Sequence, residues 1–155
     1  MAMFTRVPKL ATGGCSEACL SHLLCDAMTA AEVARVAHWN VRGPEFIALH
    51  GLFGEVYTTA TGAADTIAER IVAIGGVAKG LSDDDEFAKV PVAGELPNGL
   101  KLSDQLAVEL ATFSRDLLNA FETLTKERDH GSANIVIGIQ NDIDKLIWKV
   151  QKFNP

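Results

Sequence analysis

The sequence GGVAKGLSDDDEFAKVPVAGELPNGLKL, residues 75–102, lies between two long helical regions and decides the fold. Its glycines and prolines prevent one long regular element from forming across it. The polar and acidic residues 82–86 are suited to starting one short helix. We therefore predict a long connection that carries a short helix.

Helical periodicity predicts two helices on each side of this connection, because apolar residues recur there at three- and four-residue steps. Gly43-Pro44 divides the first pair of helices, with Pro44 suited to the first helical position. Gly131 divides the second pair, and Ser132 is placed to cap the last helix. The four predicted helices cover residues 16–40, 44–74, 103–130 and 132–150.

Short connections within each pair of helices and one long connection between the pairs indicate two antiparallel hairpins. Among four-helix bundles, one long crossover is typical of the ferritin-like topology. The predicted fold is therefore all-α, a ferritin-like four-helix bundle with one long crossover carrying a short helix. Residues 1–14 are expected to be a flexible tail, and residues 15–155 the bundle domain.

Length and composition limit the class of protein. The chain has 155 residues, of which 48% are hydrophobic and 22% charged, as expected for one globular domain. No apolar run reaches the ~20 residues of a membrane span, so we expect a cytoplasmic protein with no membrane partner. Fourteen basic and twenty acidic residues give a net charge of −6, which opposes binding to phosphate backbones. Three cysteines, an odd number, do not suggest a secreted disulfide framework.

Four potential metal ligands lie in the first two predicted helices: His38, His50, Asp65 and Glu69. The carboxylates of Asp65 and Glu69 are one helical turn apart and share a face. His50 and Asp65 share a face as well, but fifteen residues of helix separate them by about 22 Å. One straight helix therefore cannot bring both to one metal ion.

A second copy of the chain can join these ligands. If two second helices pair antiparallel about an axis near Thr58, His50 of one chain meets Asp65 of the other. The small residues of the segment 58–64 favour such a close approach. Imidazole with carboxylate suits iron, manganese or zinc. The spacing alone also fits a simple solvated helix face, so the residues leave both interpretations open.

The motif HWNVRGP at residues 38–44, followed by DTIAER at residues 65–70, resembles the Dps family of miniferritins. The segment DIDKLIW at residues 142–148 is similar to the last helix of that family, and the resemblance covers residues 16–153.

The resemblance implies a hollow homododecamer that oxidises Fe(II), preferably with hydrogen peroxide, and stores ferric iron inside the shell. It assigns His38 and His50 to one subunit and Asp65 and Glu69 to its twofold mate. The first three ligands, His38, Asp65 and Glu69, would hold the tighter iron, with Glu69 bridging to a second iron near His50. Trp39 would be a one-electron donor, with simple packing as the alternative.

Two positions depart from the family pattern. Gly54 stands where an acidic residue usually aids the second iron, which predicts a weakened second site or a shell active mainly in storage or DNA association. On this interpretation Gly54→Asp restores a ligand, and the neighbouring Glu55 points away from the site. Asn134 stands where many members of the family carry an acidic residue that lines the threefold pore, and Asp129, one turn earlier, is a candidate for that lining.

Three further features of the sequence bear on metal and DNA binding. Cys15, Cys19, His22 and Asp26 form one helical stripe, suited either to packing or to a zinc or copper site. The sequence Glu-Arg-Asp-His at residues 127–130 is interpreted as capping and surface. DNA binding is expected to be weak or absent, because the tail offers only Arg6 and Lys9.

Overall fold

The computed structural model describes residues 14–80 and 98–153, and within these ranges the chain forms four α-helices and no strand. The short helix predicted in the long connection and the tail over residues 1–13 lie outside the described residues. The four predicted helices are confirmed, with changed ends. They are α1 (Gly14–Asn40), α2 (Phe46–Ala73), α3 (Gly99–Lys126) and α4 (His130–Gln151).

The helices pack as two hairpins around one apolar core. α1 lies against α2 and α3 against α4, while α1 also packs on α3 and α2 on α4. Leucine, isoleucine and alanine side chains fill the interior, and Phe53 and Phe113 are its largest fully buried members. Burial of this apolar surface is the main force that holds the bundle together.

The turn between α1 and α2 positions the start of α2 beside the end of α1. Gly43 adopts a φ of +108°, which an L side chain rarely tolerates, and its carbonyl accepts a hydrogen bond from Phe46 N at 3.1 Å. α2 therefore begins at Phe46, two residues after the predicted Pro44. Val41 is buried at this corner and anchors it to the core.

α3 begins at Gly99, so the predicted start at Ser103 is wrong by one turn. The side chain of Asn98 caps the helix by accepting a hydrogen bond from Lys101 N at 3.0 Å. A Cβ on Gly99 would lie 2.8 Å from Leu49 Cδ1, so glycine permits this close approach to α2 without a shift of the Leu49 side chain. Ser103 instead lies buried inside α3, and its hydroxyl donates to the Val150 carbonyl.

Asp129, rather than the predicted Ser132, caps α4. Its carboxylate accepts hydrogen bonds from Ser132 N at 3.1 Å and from Ser132 Oγ at 2.6 Å. Arg70 at the end of α2 donates to the same carboxylate at 2.8 Å. Burial by itself would raise the pKa of Asp129, but the hydrogen bonds from Ser132 and Arg70 outweigh it and lower that pKa.

These contacts also correct the expected role of Asp129 at a pore. The residue is 6% exposed, and its carboxylate is used within one protomer, so it does not present a charge at the surface. The interpretation of residues 127–130 as capping and surface agrees with the structure, because Asp129 caps α4 and His130 is exposed.

Candidate metal centre

The end of α1 and the first turns of α2 place the rings of His38 and His50 face to face. The ring centroids are 3.7 Å apart, and the ring planes differ by 20°. His38 Nδ1 lies 2.7 Å from the His50 carbonyl oxygen, and His50 Nδ1 lies 2.9 Å from the His38 carbonyl oxygen. The main chain of each helix therefore accepts a hydrogen bond from the histidine ring of the other helix.

These hydrogen bonds determine where each proton resides. A carbonyl oxygen only accepts, so each Nδ1 carries the hydrogen and donates it. In the neutral ring, Nε2 then holds the lone pair that can bind a metal ion. Histidine ligands in metal sites are characteristically oriented by such a hydrogen bond from the other ring nitrogen.

Phe46 completes the packing around the histidine pair. Its ring stacks against His50 with centroids 5.1 Å apart, so His50 lies between an imidazole and a phenyl ring. The sequence analysis did not assign Phe46 this role, although its position one turn before His50 on a helix is a usable signal. The stacking restricts the rotation of His50 before any ion binds.

Asp65 and Glu69 lie one turn apart on the exposed face of α2. Asp65 borders a largely apolar groove between α1 and α2, of about 800 Å³, that Met28 and Tyr57 also line. Because α2 is continuous, fifteen residues separate Asp65 from His50 by about 22 Å. Within the described part of one chain, the structure brings the two histidines together and leaves the two carboxylates apart from them.

Gly54 lies directly beside the His38 ring. A Cβ built at this position would be 3.2 Å from His38 Nδ1 and 3.3 Å from Cε1, which is a tight contact. Glu55 extends toward α4, where it forms an ion pair with Lys149. Because glycine has no side chain, the His38 ring lies close to the α2 backbone at this position without a tight contact. Sequence reasoning missed this contact because it depends on how α1 packs on α2.

Trp39 is 64% exposed in the single chain, and the Arg35 guanidinium lies 5.2 Å from the centre of its ring. The Trp39 ring therefore contacts Arg35 of the same chain and lies outside the buried core.

The cysteine stripe of α1 does not converge on one point. Cys15 is exposed, and Cys19 is half-buried. Burial raises the pKa of the Cys19 thiol, with a further contribution from Cys15, so the metal-binding thiolate is disfavoured. The other half of the stripe, His22 and Asp26, meets Asp116 of α3. Sequence analysis did not identify Asp116.

Residues 17–154 match the ferritin-like domain family. The DNA protection during starvation protein of Listeria monocytogenes is 31% identical over 121 residues, covering 75% of this chain and 76% of that protein. The protein of the same name from Brevibacillus brevis is 29% identical over 119 residues, covering 75% of this chain and 78% of that protein.

Solved structures agree with these sequence matches. Dps from Staphylococcus aureus superposes with a TM-score of 0.83 at 28% identity, covering 94% of this chain and 99% of that one. A Dps protein from Bacillus brevis gives a TM-score of 0.81 at 25% identity, with 91% and 95% of the two chains covered. The predicted ferritin-like bundle is thus confirmed, and the chain belongs to the Dps family of ferritin-like proteins.

In the described residues, none of the helices combines the length and apolar character that a bilayer crossing requires.

Proposed function

We propose that the protein is a cytoplasmic miniferritin that binds Fe(II) at centres shared between two subunits, oxidises it with hydrogen peroxide, and stores ferric iron within a dodecameric shell. The observation that carries this proposal is the oriented pair His38 and His50, in which each Nδ1 bonds a carbonyl oxygen and leaves Nε2 as the potential ligand atom. Asp65 and Glu69 lie about 22 Å or more away, too far to join them in one protomer.

In the proposed centre, His38 of one subunit and Asp65 and Glu69 of its twofold mate bind the tighter iron. Glu69 also reaches a second iron near His50. The two carboxylates favour Fe(III) over Fe(II), because attraction to an anionic ligand grows with the charge of the ion. Their exposure on α2 is consistent with ligands that are completed only on assembly.

The reaction needs two electrons and two protons for each peroxide. Two Fe(II) ions each give one electron to hydrogen peroxide, its O–O bond breaks, and two protons complete two water molecules. This pairing consumes both reagents without releasing hydroxyl radical. When only one Fe(II) is bound, Trp39, which follows His38 in the chain and is exposed beside Arg35, is proposed to give peroxide the second electron and to become a radical cation.

Gly54 indicates that the two irons of a centre bind with different strengths. The second iron has His50 and a share of Glu69 but no carboxylate from position 54. Loss of an anionic ligand weakens binding of a divalent cation.

The alternative function is a shell with impaired oxidation that acts mainly in iron storage or DNA association. Anaerobic Fe(II) titration separates these cases: two irons per subunit supports the full centre, one a weakened centre, and none the impaired shell.

The proposed assembly has twelve chains of 16.6 kDa, about 200 kDa in total. The apolar groove beside Asp65 is a suitable surface for a second copy, because burying it would bring an outside helix next to that carboxylate. Sedimentation at micromolar concentration and neutral pH is expected to show this particle. Monomers alone under these conditions would contradict both the assembly and the shared centre.

The carboxylates provide the direct activity test. We expect Asp65→Ala and Glu69→Ala each to abolish fast peroxide-driven Fe(II) oxidation while the particle remains assembled. Glu122→Ala, which removes an exposed glutamate from α3, is the matched control and should retain the wild-type rate. A wild-type rate in either site variant would show that oxidation takes place elsewhere.

A further inference from the structure

We propose a second divalent-cation site on the α1–α3 face of the bundle, formed by His22, Asp26 and Asp116. This site is separate from the proposed iron centre. His22 precedes His38 by sixteen residues on the continuous helix α1, which places it about 24 Å away along the helix axis. The inference does not depend on the proposed oxidation of iron.

The three side chains converge from two helices. His22 Nε2 lies 3.6 Å from Asp26 Oδ2 and 3.9 Å from Asp116 Oδ2. The three ligand atoms all lie within 4.8 Å of one another. Zinc-type ligands at about 2.1 Å in a tetrahedral arrangement are roughly 3.4 Å apart, so one ion needs only small side-chain movements here.

An unsatisfied buried atom points to a cation at this position. Asp26 Oδ2 is inaccessible to solvent and receives no hydrogen bond. Its 3.6 Å separation from His22 is too long for one. A buried carboxylate oxygen without a partner is costly, and a bound metal ion would satisfy it.

The charge around the cluster leads to the same conclusion. Burial raises the pKa of Asp26 and the nearby Asp116 adds to the rise, while His22 and Arg115 act in the opposite direction. Burial also raises the pKa of Glu109, with a smaller contribution from Asp26. Three carboxylates thus lie near the site, and the largely exposed Arg115 offsets only part of their charge by donating to the two oxygens of Asp116 at 3.3 and 3.4 Å. A divalent ion would reduce this repulsion.

The ligand types select a class of metal. One imidazole and two carboxylates suit Zn²⁺, Mn²⁺ or Fe²⁺ rather than Ca²⁺ or Mg²⁺, which favour oxygen ligands. A groove of about 400 Å³ beside His22 and Asp116 gives access from solvent and room for water to complete the coordination. Cys19 also lines this groove, but its thiol is not among the three converging ligand atoms.

Zinc binding to the assembled protein tests the proposal. A background carrying Asp65→Ala and Glu69→Ala removes the proposed iron centre from the measurement. Isothermal titration is expected to find one Zn²⁺ per chain, and adding Asp116→Asn should weaken binding at least about tenfold. Asp142→Asn, which removes an exposed aspartate from α4, should leave affinity unchanged. Equal affinity in the Asp116→Asn protein would overturn the site.

Thermal unfolding keeps the test informative if a variant alters folding. Asp26→Asn places a neutral group where a carboxylate is buried, so without metal we expect the same or a higher midpoint. Zn²⁺ should raise the unfolding midpoint of the background protein, but not the midpoint of the same protein that also carries Asp26→Asn. An equal zinc-induced rise in both proteins, or no rise in either, would contradict the proposal and leave a His22–Asp26 ion pair only. An anomalous zinc peak beside His22 Nε2 in zinc-soaked crystals would locate the ion.

Discussion

The imidazole rings of His38 and His50 stack 3.7 Å apart, and each donates from Nδ1 to the carbonyl oxygen of the other residue. This reciprocal pairing links the last turn of α1 to the second turn of α2. It also fixes both ring tautomers by contacts within one chain. The histidine half of the proposed centre is therefore oriented before assembly, whereas its carboxylate half must come from another copy.

Gly54→Ala tests whether the absent side chain makes room for His38. The new Cβ would meet a ring already constrained by stacking and a hydrogen bond, so we expect slower Fe(II) oxidation. Helix propensity by itself would add about 1 kcal/mol of stability. Stopped-flow oxidation at sub-stoichiometric iron and thermal unfolding measure the two effects. Gly138→Ala is the control, because a Cβ there meets nothing within 4 Å. A wild-type oxidation rate in Gly54→Ala would contradict the crowding argument.

Comparing Gly54→Asp with Gly54→Ala isolates the effect of the carboxylate. Both variants carry the same Cβ beside His38, so the expectation from sequence that aspartate simply restores a ligand omits a steric cost. If position 54 is the gap in the second iron site, Gly54→Asp should bind more iron than Gly54→Ala and oxidise it faster. Equal iron binding and equal rates would mean that water completes the site.

The ion pair of Arg70 with Asp129, at the C-terminal end of α2, predicts that loss of Asp129 lowers the free energy of unfolding. Asp129→Ala leaves the partly buried Arg70 guanidinium without its carboxylate and removes the α4 cap, at a cost of about 3 kcal/mol. Denaturant unfolding at fixed protein concentration measures the loss. Asp142→Ala, at an exposed position on α4, should change stability by less than about 0.5 kcal/mol. A similar loss in both variants would argue against the cap.

The same contact predicts a pH dependence. The pKa of Asp129 is lowered in the folded protein, so its contribution is complete above the ordinary aspartate pKa. That contribution is lost as the pH falls through the lowered folded value. The stability difference between wild type and Asp129→Ala should therefore shrink from neutral pH to about pH 3. A constant difference would mean that the lost stability is packing alone.

Weak DNA binding is the expected result of the charge balance. In the proposed dodecamer, twelve chains with a net charge of −6 would carry about −72 in total, which repels phosphate backbones. Gel shift at about 50 mM salt is the strictest test, because electrostatic attraction is strongest there. Tight retention of plasmid under these conditions would reveal a basic surface that the net charge conceals.

Local pattern predicted the helices, but not the contacts between them. The break at Gly43-Pro44 and the end of α1 at Asn40 follow from residues within a few positions. The starts of α3 and α4 do not follow from local residues, because Gly99 packs closely on Leu49 of another helix and Ser132 is bound to the true cap, Asp129.

The candidate sites show the same division between local and tertiary information. The spacing along one helix correctly predicted that His50 and Asp65 lie far apart, because the rise per residue of a helix does not depend on the other helices. The contact of Gly54 with His38 and the meeting of Asp116 with His22 depend on the register between helices. Sequence spacing does not determine that register.

Subunit complementation tests the shared centre most directly. One variant carries His38→Ala and His50→Ala, and the other carries Asp65→Ala and Glu69→Ala. Shells of either variant alone should lack fast peroxide-driven oxidation. Random co-assembly in equal amounts makes half of the twofold pairs mixed, each with one complete centre, so about a quarter of wild-type centres should return. Mixed shells with no more oxidation than the pure variants would contradict ligands drawn from two subunits.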